Sequence, residues 1–243
     1  MNGAQSLVHT LADSGIEICF GNPGTSEMHF VAALDSEPRI RGVLCLFEGV
    51  VAGAADGYAR IAGKPAACLL HLGPGFANAL SFLHNARKAG QPVVSIVGDH
   101  ATTHSQYAQA PLTSDIMAIC ASVSDWTHQS RHARDVAGDG ARAVQAARAA
   151  PGQIATLVLP ADCAWNAAEG TAAPLPVTAP RSVDAAVIDR VAAALRRGKR
   201  TALLLRGDCL QAAGVAAAGR IARATGARLC HDYFTPRITR GKI

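Results

Sequence analysis

The chain has 243 residues, of which 49% are hydrophobic and 17% charged, and a formal net charge of +5 at pH 7. That composition supports a large buried core and excludes a disordered chain. The basic residues are scattered and not interleaved with aromatics, which argues against a nucleic-acid partner. No apolar run approaches the ~20 residues of a membrane span.

In chain order, residues 1–17 predict an amphipathic helix, not a signal or transit peptide. Strands are then predicted over 16–21, 42–47, 66–72, 92–98, 123–128 and 153–159, with helices over 27–34, 49–61, 76–88, 115–121 and 134–149. Most of the strands are continuous apolar runs, the mark of parallel strands covered on both faces. The repeat predicts an α/β fold over residues 1–167, a doubly wound, flavodoxin-like parallel sheet of six strands. Right-handed crossovers bring all strand C-termini to one edge, where ligands of such folds bind.

Residues 168–182, "AEGTAAPLPVTAPRS", are proline-rich and aperiodic, the pattern of a linker. Helix, strand, helix and strand follow over 183–197, 201–205, 208–225 and 227–233. Residues 183–243 therefore start a central α/β domain with too few elements to cover both faces of a sheet, and the chain reads as truncated. An open strand edge at 227–233 predicts self-association. The seven cysteines form no C-x-x-C, and several lie in apolar runs. They read as small core residues in a reducing compartment, which places the protein in the cytoplasm.

The strand tips carry the functional signal. The first ends in Gly21-Asn22-Pro23-Gly24-Thr25, the second in Phe47-Glu48-Gly49, the third in His71-Leu72-Gly73-Pro74-Gly75 with Asn78 beyond, and the fourth in Gly98-Asp99-His100. Each has a plain structural reading. The glycines make turns, His71 is a satisfied core histidine, and Glu48 is a helix N-terminal acid favoured by the dipole. Four such tips along one edge also fit a ligand cleft in which Glu48 is a buried acid with a chemical task.

Three of these stretches, "FGNPGTSEMHF", "LFEGVVAGAADGYAR" and "LHLGPGFANALSFLHNARKAGQPVVSIVGD", occur in the order and spacing that resemble the amino-terminal pyrimidine-binding domain of thiamine-diphosphate enzymes. The branch is that of acetolactate synthase and benzoylformate decarboxylase. The resemblance implies that Glu48 hydrogen-bonds N1′ of the cofactor's aminopyrimidine and so promotes proton removal from C2 of the thiazolium. It implies that Gly73, Gly75 and Asn78 line the cofactor. It places Asn22, Pro23, Gly24, Thr25 and His71 along the substrate cleft, His71 beside the reacting carbonyl and Thr25 as the small hydroxyl residue. His71 leans toward the benzoylformate decarboxylase pattern and "GPGFAN" toward acetolactate synthase. A non-catalytic flavodoxin-like binding module stands as the rival reading.

The family holds the diphosphate through Mg²⁺ in a further domain, whose signature is Gly-Asp-Gly after an apolar strand followed by paired asparagines. Gly138-Asp139-Gly140, with Asn166 beyond, mimics it in a helical context without a preceding strand, so no metal residues are assigned in this chain. The resemblance thus implies a dimeric or tetrameric parent that supplies the missing diphosphate-binding domain, Mg²⁺ and, in some members, FAD, and a chain inactive alone. The pairs His100/His104 and His128/His132 have helical i, i+4 spacing but lack the glutamate of a zinc protease and read as non-metal histidines.

Overall fold

A computed structural model describes residues 1–107, 110–177, 179–198 and 200–239; Thr178 of the predicted linker lies outside them. The chain divides into one unit of residues 1–87 with 91–178, and another of 88–90 with 179–243. The first contains α1 (Gly3–Asp13), β1 (Ile18–Asn22), α2 (Met28–Asp35), β2 (Arg41–Leu44), α3 (Glu48–Ala62), β3 (Ala66–Leu70) and α4 (Leu72–Lys88). It continues with β4 (Val93–Asp99), α5 (Ile116–Ala121), β5 (Trp126–Gln129), α6 (Val136–Ala147), β6 (Ile154–Pro160) and α7 (Ala161–Trp165).

The six strands form one sheet in the order β2-β1-β3-β4-β6-β5, with every pairing parallel. This is the predicted doubly wound α/β fold. Successive residues of a strand face opposite sides, so the central strands feed two cores. Ile96 and Leu157 point into one with Leu7, Leu11 and Phe30. Val97 and Val158 point into the other with Val51, Phe76 and Leu83. Small residues let the layers approach. A side chain at Gly140 of α6 would reach within 2.3 Å of the Leu7 Cδ1 atom on α1.

The second strand departs from the expectation. It ends at Leu44 instead of residue 47, and Leu44 and Leu46 are 71% and 90% exposed. β2 is the sheet edge, paired only with β1, so its apolar residues lack the two-sided cover of the central strands. Glu48 consequently opens α3 and does not close a strand. β3 likewise ends at Leu70, and α4 begins at Leu72 where residue 76 was expected. The Gly73-Pro74-Gly75 stretch is the first turn of a helix, not a free loop. Proline fits there because the first turn's N–H groups have no partner within the helix.

In the second unit, α8 (Ala185–Arg196), β7 (Ala202–Leu205), α9 (Ala212–Thr225) and β8 (Arg228–His231) form a two-stranded parallel sheet with helices. The helix predicted from residue 208 is interrupted. A 3₁₀ turn at Gly207–Leu210 precedes α9. Five cysteines are buried as expected, but Cys209 and Cys230 are exposed. Cys230 lies on β8, all four residues of which are exposed. Among the described residues no helix is long and apolar enough to cross a membrane.

Candidate active site at the strand edge

The chain leaves β1 toward β2 on one side of the sheet and returns to β3 on the other, so a crevice opens between the β1 and β3 tips. Register places Asn22, the last residue of β1, level with Leu70, the last of β3. His71 therefore emerges directly opposite the Pro23-Gly24 corner. Its ring lies so close over Gly24 that a Cβ there would come within 2.3 Å of Cε1. Glycine at 24 is what gives the imidazole room. Leu72 then turns the chain with φ +49°, a left-handed conformation costing a leucine about 1–3 kcal/mol. Burial of its side chain to 1% exposure offsets this.

Beneath His71 sits an acid that sequence reasoning missed. Glu27 is 2% exposed. Its Oε2 accepts the Gly24 N–H at 2.7 Å and lies 2.8 Å from His71 Nδ1. Its Oε1 is buried without a hydrogen-bond partner among the described residues, packed against β4, where a Cβ on Gly98 would fall 1.6 Å away. In the sequence, Glu27 precedes an apolar helix three residues after Gly24 and so looks like a helix cap. It does cap a 3₁₀ turn at Thr25–Glu27, which disguises its reach to another strand.

Glu48 stands across the cleft, 8% exposed, at the first position of α3, where the helix dipole favours a carboxylate. Asn78 Nδ2, one and a half turns into α4, donates to its Oε2 at 3.0 Å. Among the described residues Oε1 has no hydrogen-bond partner and is not among the buried orphaned atoms. Gly75 separates the two acids' neighbourhoods: a Cβ there would sit 3.3 Å from Glu48 Oε1 and 3.4 Å from His71 Cβ. Gly49 and Gly53 of the glycine-alanine helix pack under the Phe82 ring of α4, and Gly49 also under Phe47. These glycines let α3 and α4 approach closely. Beside Glu48, however, Leu46, Phe47 and Val50 remain exposed.

The structure thus brings Gly24, His71, Gly75, Glu48 and Asn78 together. Gly73 lies under Ser114, with its Cβ position 1.9 Å from Ser114 Oγ, and Thr25 opens the 3₁₀ turn. The Gly138-Asp139-Gly140 mimic lies within α6, where buried Asp139 accepts from Ser130 Oγ at 2.7 Å and pairs with His128 and Arg142. Asn166 uses its backbone carbonyl to accept from Gly3.

Asp99 at the β4 tip accepts from the His100 N–H at 2.7 Å and from Gln129 at 3.2 Å. Burial, the largest influence, nevertheless raises its pKa. A carboxyl that holds its proton more tightly when folded favours the native state at low pH, and loses that contribution as pH rises from the ordinary 3.8 through the raised value. Asp99→Asn is therefore expected to raise the thermal midpoint at pH 7 and to leave it unchanged below the ordinary aspartate pKa, as paired melting curves will show.

Residues 1–119 match the family model "Thiamine pyrophosphate enzyme, N-terminal TPP binding domain". Residues 1–119 thus belong to the N-terminal domain family of the thiamine-pyrophosphate enzymes. It is 54% identical over 242 residues to the Mycobacterium tuberculosis protein named "Putative acetolactate synthase large subunit IlvX", covering 99% of this chain and 46% of that one. It is 31% identical over 148 residues to a Pseudomonas aeruginosa benzoylformate decarboxylase, covering 61% of this chain and 28% of that protein. The thiamine-diphosphate-dependent 4-hydroxybenzoylformate decarboxylase of Rhodococcus jostii shares the fold, with a TM-score of 0.85 at 22% identity, covering 95% of this chain and 44% of that structure. The chain spans less than half the length of each of these relatives.

Proposed function

We propose that the chain supplies the pyrimidine-binding face of a thiamine-diphosphate-dependent 2-keto acid enzyme of the acetolactate synthase type. The observation that carries this is Glu48, with one oxygen held by Asn78 and the other without a hydrogen-bond partner among the described residues, in a space kept open by Gly75. In this reading Glu48 Oε1 meets N1′ of the aminopyrimidine, Asn78 fixes the rotation of the carboxyl, and Gly75 admits the ring. The Gly24 corner and His71 form the wall facing the 2-keto acid. When bound, thiamine diphosphate supplies a nucleophilic carbon and an electron sink for decarboxylation.

The residues of this chain hold the pyrimidine end alone. The diphosphate and Mg²⁺ fall to a diphosphate-binding domain supplied across an oligomer interface. The exposed Leu46, Phe47 and Val50 beside Glu48 support a covering surface there. The buried free thiols suit a reducing cytoplasm.

The His71–Glu27 pair favours a second reading, simple decarboxylation of an aryl 2-keto acid, because it adds a proton-carrying group to the substrate wall. The whole enzyme that contains this chain, given thiamine diphosphate and Mg²⁺, is expected to form acetolactate from pyruvate. Aldehyde and CO₂ from benzoylformate without acetolactate would select the second reading. Inactivity toward both acids would remove the proposed function.

A further inference from the structure

We infer that Glu27 is a positioning residue for His71: it holds the imidazole as the Nδ1–H tautomer and leaves the Nε2 lone pair in the cleft as a proton acceptor. This deepens the proposed function and rests on it for the identity of the proton donor. The geometry carries it. Glu27 Oε2 lies 2.8 Å from His71 Nδ1 and already accepts the Gly24 N–H at 2.7 Å. A carboxylate oxygen accepts two such donors readily. Among the described residues no lysine or arginine pairs with Glu27, so the imidazole N–H is the side-chain donor that compensates its burial.

The opposite ring nitrogen, Nε2, has no hydrogen-bond partner among the described residues, and the ring is pinned over Gly24 and backed by Gly75. A proton given up by a hydroxyl or water in the cleft passes to Nε2, and the resulting imidazolium keeps its Nδ1–H on the Glu27 carboxylate. The same proton returns to a reactant when the ring reverts. The other acids near this ring are Glu48, beyond Gly75, and Asp99, after Gly98. Glu48 accepts from Asn78, and Asp99 from His100 and Gln129, so neither competes for Nδ1.

Long-range ¹H–¹⁵N correlation of the labelled 243-residue chain, at alkaline pH and without cofactor, tests this. Nδ1–H is expected in about ten- to a hundredfold excess over Nε2–H, the preference given by one hydrogen bond to a charged acceptor. Glu27→Gln, whose carbonyl oxygen still meets the Gly24 N–H, keeps that tautomer. Glu27→Leu removes the acceptor and loses the excess while the circular dichroism spectrum is retained. A wild-type ring dominated by Nε2–H overturns the inference, and so does an undiminished Nδ1–H excess in a folded Glu27→Leu chain. The wild-type spectrum decides even where the leucine variant does not fold. Because no cofactor is present, failure here leaves the assignment of Glu48 standing. An intact Nδ1–H signal in a chain whose whole enzyme is inert toward 2-keto acids counts against the proposed function alone.

Discussion

Glu48→Gln is expected to lower turnover of a 2-keto acid by about 10²–10⁴-fold, the span that one positioned acid–base group contributes. The substitution is nearly isosteric. A glutamine carbonyl still accepts from Asn78 Nδ2, which now holds Oε2 at 3.0 Å, so the side chain keeps its place at the head of α3. What is lost is the carboxyl's capacity to hold and release a proton at Oε1, the atom without a hydrogen-bond partner among the described residues. Steady-state turnover of the whole enzyme, with thiamine-diphosphate affinity followed by fluorescence titration, separates chemistry from binding. The expected pattern is a large fall in turnover with a much smaller change in affinity. Turnover within a factor of two of wild type would take Glu48 out of the mechanism and return it to its plain role as a helix N-terminal acid.

Phe76→Ala is expected to cost about 3–5 kcal/mol of stability, the range for deleting a fully buried aromatic ring. Phe76 has no exposed surface and belongs to the core cluster of Val51, Leu72, Leu83, Val97 and Val158. It also links stability to the site. It follows Gly75 directly, precedes Asn78 by two residues, and packs in the same core as Leu72 in its left-handed corner. A cavity there loosens the turn that aims His71 and Asn78. Urea unfolding at unchanged slope gives the loss as a shift in midpoint. A cost below about 1.5 kcal/mol would mean that the surrounding core collapses over the gap and that Phe76 is not the anchor of that corner.

The strands were legible because apolar runs bounded by glycine and proline are local signals, and six of them alternating with helical segments admit few arrangements. Their ends were less legible. Leu46 and Phe47 read as a continuation of β2, yet the edge position leaves them exposed, and no periodicity tells an edge strand from a central one. Gly73 and Gly75 read alike in the sequence. The structure sets one under Ser114 and the other between Glu48 and His71. Glu27 escaped because it looks like a cap at the head of an apolar helix, whereas its side chain reaches back to Gly24 and across to His71.

From residue order alone, the α/β class, the parallel sheet and the alignment of four glycine-bearing tips on one edge followed, since each rests on short-range patterning and the handedness of the chain. Which tips face one another, and which atoms are left unpaired between them, came only from the folded arrangement. The β1–β3 register puts His71 over Gly24. The approach of β4 brings Gly98 against Glu27. The early start of α4 swings Asn78 onto Glu48. These are contacts between residues about 30 to 70 positions apart, set by how strands align and layers pack, and such distances leave no periodic trace in a single sequence.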